Sequence, residues 1–344
     1  MKKNELRHDP ITGDWTIVSG DSSYFESLIE RGLTESSAPV SESCELCGGH
    51  EKETPPEIHA VAPDDREPDR EGWQVRVVPN KSPVLQIHGE LNNRGIGIYD
   101  VLDGIGAHEI VIETPEHGVA LENLPESHIV SVFSAYQERF RDLKNDARFR
   151  NILLHKLHDP SKSKVSGHSF SHIIATPVTP MRVKLELSGC LQHFQYKERC
   201  LFCDIIHQEF ADGLRVVAEN EAFVALSPFA ARSPFELMIL PRKHETFFEW
   251  NTSMHLLASI TRDLLLRLRK LVGDLHYVMV IHSGPNMAAG KQRGYWKTLE
   301  RDYHWHLDIL PIFKKIKMFE GGTGFPVNNL SPERATELLV AAKG

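Results

Sequence analysis

Long apolar runs are missing from this sequence. None approaches the ~20 residues that span a bilayer, which argues against membrane insertion. Behind the basic start Met1-Lys2-Lys3 there is no apolar core, so a secretory leader is not expected and a cytoplasmic location is the default. Excess positive charge is missing too. The 39 Lys and Arg stand against 47 Asp and Glu, a net charge of −8, which argues against broad nucleic-acid binding and still leaves room for a local phosphate pocket. Cysteine is scarce, with five in 344 residues. Four of the five nevertheless fall into two Cys-x-x-Cys pairs, Cys44/Cys47 and Cys200/Cys203. In a reducing compartment such pairs are metal ligands or redox centres more often than structural disulfides. Histidine, by contrast, is plentiful at 19 residues and offers partners for those thiolates. The apolar content of 41% and charged content of 25% are those of a globular protein, and the length suits two domains or one large one.

The chain reads as if written twice. Cys44-Glu45-Leu46-Cys47 is answered by Cys200-Leu201-Phe202-Cys203. The strand-like block from His108 to His117 is answered by the block from Phe235 to His244, each ending in histidine. An amphipathic helix follows each block. Ile129, Val132, Phe133, Tyr136, Phe140 and Leu143 mark the first, and Leu257, Ile260, Leu264, Leu268 and Leu271 the second. Then His168-Ser169-Phe170-Ser171-His172 is answered by His304-Trp305-His306-Leu307-Asp308. Four matches in one order imply a duplicated α+β module: residues 1–178, a connector 179–194, and residues 195–344. The Ser-rich stretch 33–43 and the polar run 158–164 read as loops.

The repeat assigns two ligand sets, because each histidine holds the same place in its copy: Cys44, Cys47, His117 and His168, and Cys200, Cys203, His244 and His304. Thiolate and imidazole in a closed set of four suit structural zinc. A thiol–disulfide role, or simple burial of the cysteines, would leave the duplicated histidines without a reason.

These residues resemble the galactose-1-phosphate uridylyltransferase family of the histidine-triad superfamily, over nearly the whole chain. Arg7 to Val18 is similar to the family's opening strand, and Cys44 to Ile58 to its first zinc loop. Val75 to Pro83, with Asn80, is similar to its nucleotide-contacting strand and turn. Phe319 to Gly324, with Asn328, Pro332 and Glu333, is similar to its sugar-phosphate loop and last helix, which Ser331 as N-cap and Pro332 at N1 would start. The fold this implies is α+β: tandem histidine-triad modules with antiparallel sheets, helices packed on one side, and pseudo-two-fold symmetry. The activity it implies is nucleotidyl transfer from a nucleoside diphosphate sugar to a phosphate acceptor through a nucleotidyl-histidine. An adenylyl donor with phosphate or sulfate as the small partner is the alternative. The resemblance places two structural zinc ions in the ligand sets above, the nucleotide near Asn80, Phe170 and His172, and the sugar phosphate or anion near Lys314, Glu320 and Gly322. No nucleic-acid or membrane partner is expected. Many relatives are dimers, which leaves a homodimer open.

The stretch His168-Ser169-Phe170-Ser171-His172 departs from the family's His-x-His-x-Gln. On a strand, residues 168, 170 and 172 share a face. The resemblance makes His168 a metal ligand, sets Phe170 where the family has its nucleophile, and sets His172 where it has the phosphate-holding glutamine. A phenyl ring has no lone pair to attack phosphorus. Three readings stay open: Phe170 replaces histidine in an otherwise active enzyme, the chain binds nucleotide without turnover, or another histidine has taken over. His172 lies about 6.5–7 Å along the strand, too far to reach the same phosphorus unless the substrate moves. His306 is the counterpart of Phe170 in the second copy, next to an expected ligand. Other departures put uridine and galactose specificity in question. Ser19 to Tyr24 replaces a basic stretch, and Lys162 and Lys164 stand where the family has a glycine-rich loop. His282 falls where some relatives place a second-metal ligand, with Glu186 as partner, and reads here as pocket lining or core.

Overall fold

The computed structural model describes residues 3–30, 44–159, 167–273, 276–290, 296–313 and 320–343. The whole of the expected loop 33–43, Lys162, Lys164 and Lys314 lie outside the described residues.

The chain opens with β1 (Glu5–His8) and β2 (Trp15–Val18), then α1 (Ser23–Glu30). Arg7 to Val18 is thus a hairpin rather than one strand. Asp9 turns it, accepting from the Ile11 backbone N–H and the Thr12 hydroxyl, and Gly13 takes φ +81°. Next come β3 (His59–Val61), β4 (Val75–Pro79), β5 (Arg94–Ile96), β6 (Tyr99–Val101), β7 (Ala107–Ile112), α2 (Glu126–Leu143), β8 (Asn151–His158) and β9 (Phe170–Thr176). The expected connector is largely helical, as α3 (Met181–Lys197). After it run α4 (Leu201–Asp212), β10 (Val216–Glu219), β11 (Phe223–Leu226), β12 (Leu237–Pro241), α5 (Met254–Val272), β13 (Tyr277–His282), α6 (Met287–Gly290), α7 (Leu299–Asp302) and β14 (His306–Pro311). The chain closes with α8 (Glu320–Thr323), β15 (Val327–Asn328) and α9 (Pro332–Ala341).

Among the described residues, ten strands form one sheet in the order β10-β11-β12-β14-β13-β8-β9-β7-β4-β3. Its two halves mirror each other about the antiparallel β8–β13 pair, where Val280 faces His155. One face carries Val111, Leu154, Ile173, Met279, Leu307 and Ile239, packed under α2 and α5 in a single apolar core. The helices supply the residues their 3.6-residue period marks, including Ile129, Phe133, Tyr136, Leu257, Leu264 and Leu268. The opposite face presents the alternate residues, among them His108, His155, Phe170 and His172.

Register refines the repeat. His172 pairs with Ile110, and Asp308 with Met238, so Ile110 corresponds to Met238. The sequence comparison of the two blocks sets Ile110 against Leu237 instead. The copies differ by one residue between strand and histidine: seven steps separate Ile110 from His117, and six separate Met238 from His244. Only the shifted register keeps apolar positions on the helix side.

Strand β9 is fastened from behind. Ser169 Oγ donates to Glu113 Oε2 at 2.6 Å, Ser171 Oγ to Glu113 Oε1, and Tyr136 Oη to Glu113 Oε1 at 2.7 Å. Lys156 Nζ pairs with Glu113 Oε2 at 2.7 Å, both side chains wholly buried. At the far end, Ser331 caps α9 by accepting from the Arg334 N–H at 3.3 Å. Glu333 then ties the C-terminal helix to Arg7 and Arg215.

Burial pushes the Glu113 carboxyl up, but the Lys156 ammonium and the donors from Lys156, Ser169 and Ser171 outweigh it and hold it below the usual range. Its stabilisation is therefore present above the unfolded carboxyl value of about 4.3 and is lost as pH falls through the folded one. Lys156→Met leaves a buried carboxylate without its counter-ion and should cost about 3–5 kcal/mol in urea unfolding at pH 7. A loss below about 1 kcal/mol would show that the pair does not hold β9.

Candidate active site and metal centres

Cys44 and Cys47 sit in a turn in which the Cys47 N–H donates to the Cys44 carbonyl at 3.2 Å. His117 follows β7, and His168 stands just before β9. The four ligand atoms of Cys44, Cys47, His117 and His168 lie within 4.8 Å of one another. Cys47 Sγ is 3.6 Å from His117 Nδ1 and 3.7 Å from His168 Nδ1, and Cys44 Sγ is 3.8 Å from His168 Nδ1. A tetrahedral zinc with Zn–S of about 2.3 Å and Zn–N of about 2.05 Å sets sulfur and nitrogen ~3.6 Å apart. His168 Nε2 donates to the Thr114 carbonyl at 2.7 Å, which leaves the Nδ1 lone pair aimed at the thiols. A Cβ at Gly167 would stand 3.1 Å from His117 Nε2, so a glycine there gives the ring its space. Burial, then Cys44, push the Cys47 thiol up to about 11, so two thiolates there call for a cation.

The second set repeats the arrangement. Cys200, Cys203, His244 and His304 bring their ligand atoms within 4.8 Å. Cys203 Sγ is 3.5 Å from His244 Nδ1 and 3.7 Å from His304 Nδ1. His244 and His304 give their Nε2 protons to the carbonyls of Glu300 and Pro241, both at 3.0 Å. Each set is thus a Cys2His2 group able to hold a metal ion. A third group, Glu186, His282 and His306, is fully buried and also has its ligand atoms within 4.8 Å. His282 Nδ1 meets Glu186 Oε2 at 3.1 Å and the His282 ring stacks on His306, centroids 4.6 Å apart. Burial would raise the Glu186 carboxyl, but the facing His282 brings it down to about 2.

Between the first metal group and the end of β9 lies the face that the His-Ser-Phe-Ser-His stretch presents. Phe170 packs against a small apolar cluster with Cys44, Leu46, Trp73, Val78 and Ile112. His172 is boxed by rings. Phe170 meets it edge-on at 5.3 Å, His155 lies nearly parallel at 5.0 Å, and His108 is tilted at 5.1 Å. His172 Nδ1 is 3.0 Å from His108 Nε2, which is 3.0 Å from Asn80 Nδ2. The structure thus brings together the expected nucleotide residues Asn80, Phe170 and His172, and adds two that sequence reasoning missed, His108 and His155. Both carry a histidine at the right parity on a strand, but only the register shows that β7 and β8 flank β9 on either side. Burial, then His155 and His108, push the His172 imidazolium down to about 4. Burial also lowers His155, and burial followed by His155 lowers His108.

The corresponding face of the other half is filled. His306, in the place of Phe170, is wholly buried beneath Phe202, at 4.9 Å, and His282. It has no access to a substrate, which removes it as a replacement nucleophile. Beside it, a cleft of about 490 Å³ runs over β8, β13 and β14, lined by Leu153, Arg182, Arg232, His282, Asp308 and Phe313. His282 is therefore both core and lining. Asn80, Phe170 and His172 do not line this cleft. Of the expected sugar-phosphate residues, Gly322 is exposed on α8, Glu320 starts that helix, and Lys314 lies outside the described residues.

The family profile for the galactose-1-phosphate uridyl transferase C-terminal domain matches residues 188–337. The chain is 24% identical over 344 residues to the galactose-1-phosphate uridylyltransferase of Thermotoga maritima, covering 97% of each chain. The chain is thus similar to galactose-1-phosphate uridylyltransferases along its length, and its C-terminal part matches their family profile. It is 29% identical over 339 residues to the ADP-glucose phosphorylase of Arabidopsis thaliana, covering 97% of this chain and 92% of the relative. The crystal structure of an Arabidopsis thaliana ADP-glucose phosphorylase with bound ADP-glucose superposes with a TM-score of 0.79 at 26% identity, covering 98% of both chains. Relatives with two different donors in their names thus match this chain along its length, so the likeness alone leaves the nucleobase open. Among the described residues, no helix is long and apolar enough to cross a membrane.

Because the His172 value lies below the ~6.5 of an unfolded histidine, the ring stays neutral well into acid. As pH falls from about 6.5 towards 4, the unfolded chain takes up this proton first and the fold loses stability. In a histidine-selective NMR titration, the His172 ring should show a midpoint below pH 5. A midpoint near 6.5 would mean that the ring stands in water and that the histidine cluster does not form.

Proposed function

We propose that this protein is a nucleotidyltransferase acting on a nucleoside diphosphate sugar and a phosphate acceptor, through an intermediate in which a histidine carries the nucleotidyl group. The observation that carries this reading is the half-buried group of uncharged imidazoles on the face of β9, beside a strand end built to hold a metal. Neutral imidazole is a nucleophile at physiological pH and a fair leaving group once phosphorylated. The fixed strand and its hydrogen-bonded neighbours supply the positioning on which phosphoryl transfer depends. Asn80 and His172 would meet the nucleotide phosphates. The loop with Lys314, Glu320 and Gly322 would meet the sugar phosphate, and Phe313 and Pro326 on either side of it line the 490 Å³ cleft.

For the donor we favour an adenylyl compound, an ADP-sugar with inorganic phosphate as acceptor. The 29% identity to an ADP-glucose phosphorylase supports this. So do the replaced basic stretch at Ser19 to Tyr24 and the altered strand at Phe170 and His172. A uridylyl donor with a hexose 1-phosphate is the related alternative. Phe170 itself favours a second reading, a nucleotide-binding protein without turnover. Incubation with ADP-glucose and inorganic phosphate should yield ADP and glucose 1-phosphate, with UDP-glucose and galactose 1-phosphate as the parallel pair. Saturable binding without turnover would favour the second reading. Neither turnover nor binding of either sugar nucleotide would overturn both.

We propose zinc as the ion at each Cys2His2 group, in a structural role, since four protein donors leave no open position for substrate. We also propose that the two modules run from 1 to 178 and from 195 to 344, each with one ion. Elemental analysis of the purified chain should find two zinc ions per molecule. Cys44→Ser and Cys200→Ser should each remove one, and chelation should lower the melting temperature. A fully folded chain with no bound metal would refute this assignment.

A further inference from the structure

We propose that His172 is the nucleophile of this protein, attacking through Nε2 at a point one residue pair further along β9 than Phe170. This inference rests on the nucleotidyl-transfer reading above and names the atom that carries it.

The hydrogen-bond chain fixes which nitrogen is free. The Ser82 N–H donates to Asn80 Oδ1 at 2.8 Å, so the Asn80 amide nitrogen faces His108. That amide, 3.0 Å from His108 Nε2, makes Nε2 an acceptor. His172 Nδ1, also 3.0 Å from His108 Nε2, then carries the proton and donates it there. The opposite assignment, with hydrogen on His108 Nε2, satisfies the Val84 N–H contact to His108 Nδ1 at 3.3 Å and reverses the His108–His172 bond. It would instead oppose two N–H groups at the shorter Asn80–His108 distance. The Val84 contact is the longer of the two in conflict, 3.3 Å against 3.0 Å, and lies at an exposed residue. His172 is therefore the tautomer with hydrogen on Nδ1 and a lone pair on Nε2.

The setting suits a nucleophile better than a base. Phe170, His155 and His108 hold the ring from three sides, which limits its rotation before attack. Burial and the neighbouring rings lower the affinity of this imidazole for a proton, so it stays unprotonated at neutral pH and removes protons poorly. In the first step the Nε2 lone pair forms a bond to the α-phosphorus. The bond from that phosphorus to the bridging oxygen breaks, and its electron pair leaves with the sugar phosphate. The ring becomes a phosphorylated imidazolium whose Nδ1–H still donates to His108. In the second step an oxygen of the acceptor phosphate attacks the same phosphorus, and the N–P bond breaks to return its pair to Nε2. The phenyl ring of Phe170 takes no part. His108 is a positioning residue.

The test is acid-avoiding peptide mapping by mass spectrometry after brief exposure of the intact, metal-loaded chain to ADP-glucose and to UDP-glucose. A nucleotidyl adduct on His172 is the expected result. His172→Gln should abolish it and lower turnover by about 10⁴-fold or more, with sugar-nucleotide affinity, metal content and melting temperature close to those of the parent. His108→Leu should lower kcat with little change in KM. In the double variant Phe170→His/His172→Gln the adduct should reappear, now at 170. If the parent forms no adduct and Phe170→His alone does, His172 is not the nucleophile, while the nucleotidyl-transfer reading stands for the scaffold. If no variant binds either sugar nucleotide, that broader reading fails as well. Mapping the parent needs no substitution, so it locates the adduct even if the His172→Gln chain fails to fold.

Discussion

A buried ion pair sets the position of β9, and most of what this protein presents to a ligand follows from that. Glu113 and Lys156 are both removed from water, and together with Ser169, Ser171 and Tyr136 they form a closed polar group inside an otherwise apolar core. Such a group costs a great deal to assemble and more to break, because a lone buried charge has nowhere to turn. It therefore admits one register for the strand. With the two serines committed to the inner face, strand alternation forces His168, Phe170 and His172 onto the other. The serines of the His-Ser-Phe-Ser-His stretch are as purposeful as its histidines. They are the side that holds on.

The first Cys2His2 group extends the same constraint to the strand's beginning. His168 is fixed at both ring nitrogens, one to the Thr114 carbonyl and one towards the thiols of Cys44 and Cys47. With the end of β9 pinned there and its middle pinned by Glu113, the ring cluster around His172 is held without help from any loop. This is the rigidity that group transfer demands, since a displacement of about 1 Å in the attacking atom is costly.

The duplication shows how one architecture was put to two uses. The halves of the sheet share strand order, ligand set and covering helix, and they meet at β8 and β13 as though the sheet had never been joined. Their outward faces differ. In the first half the face keeps half-buried imidazoles beside a phenyl ring. In the second, His306 is closed off beneath Phe202 and His282, and an arginine-lined cleft that His282 also lines opens alongside. One face suits chemistry and the other suits the interior.

The sequence by itself determined the repeat, the pairing of each Cys-x-x-Cys with two distant histidines, the helices under the sheet, the cap at Ser331, and the absence of a lone pair at 170. All of these depend on residue type and spacing along one chain, which periodicity and local chemistry expose directly. Only the tertiary structure decided the one-residue offset between the copies, the hairpin at Arg7 to Val18, the burial of His306, and the meeting of His108, His155 and His172. That meeting depends on strand order and register. His108 and His155 lie 47 positions apart in sequence and come to flank His172 only because β9 is inserted between their strands. The tautomer of His172 depends in turn on an asparagine from a fourth strand's end. No pattern read along the chain contains that information, because hydrogen bonds between strands are set by the geometry of the folded sheet.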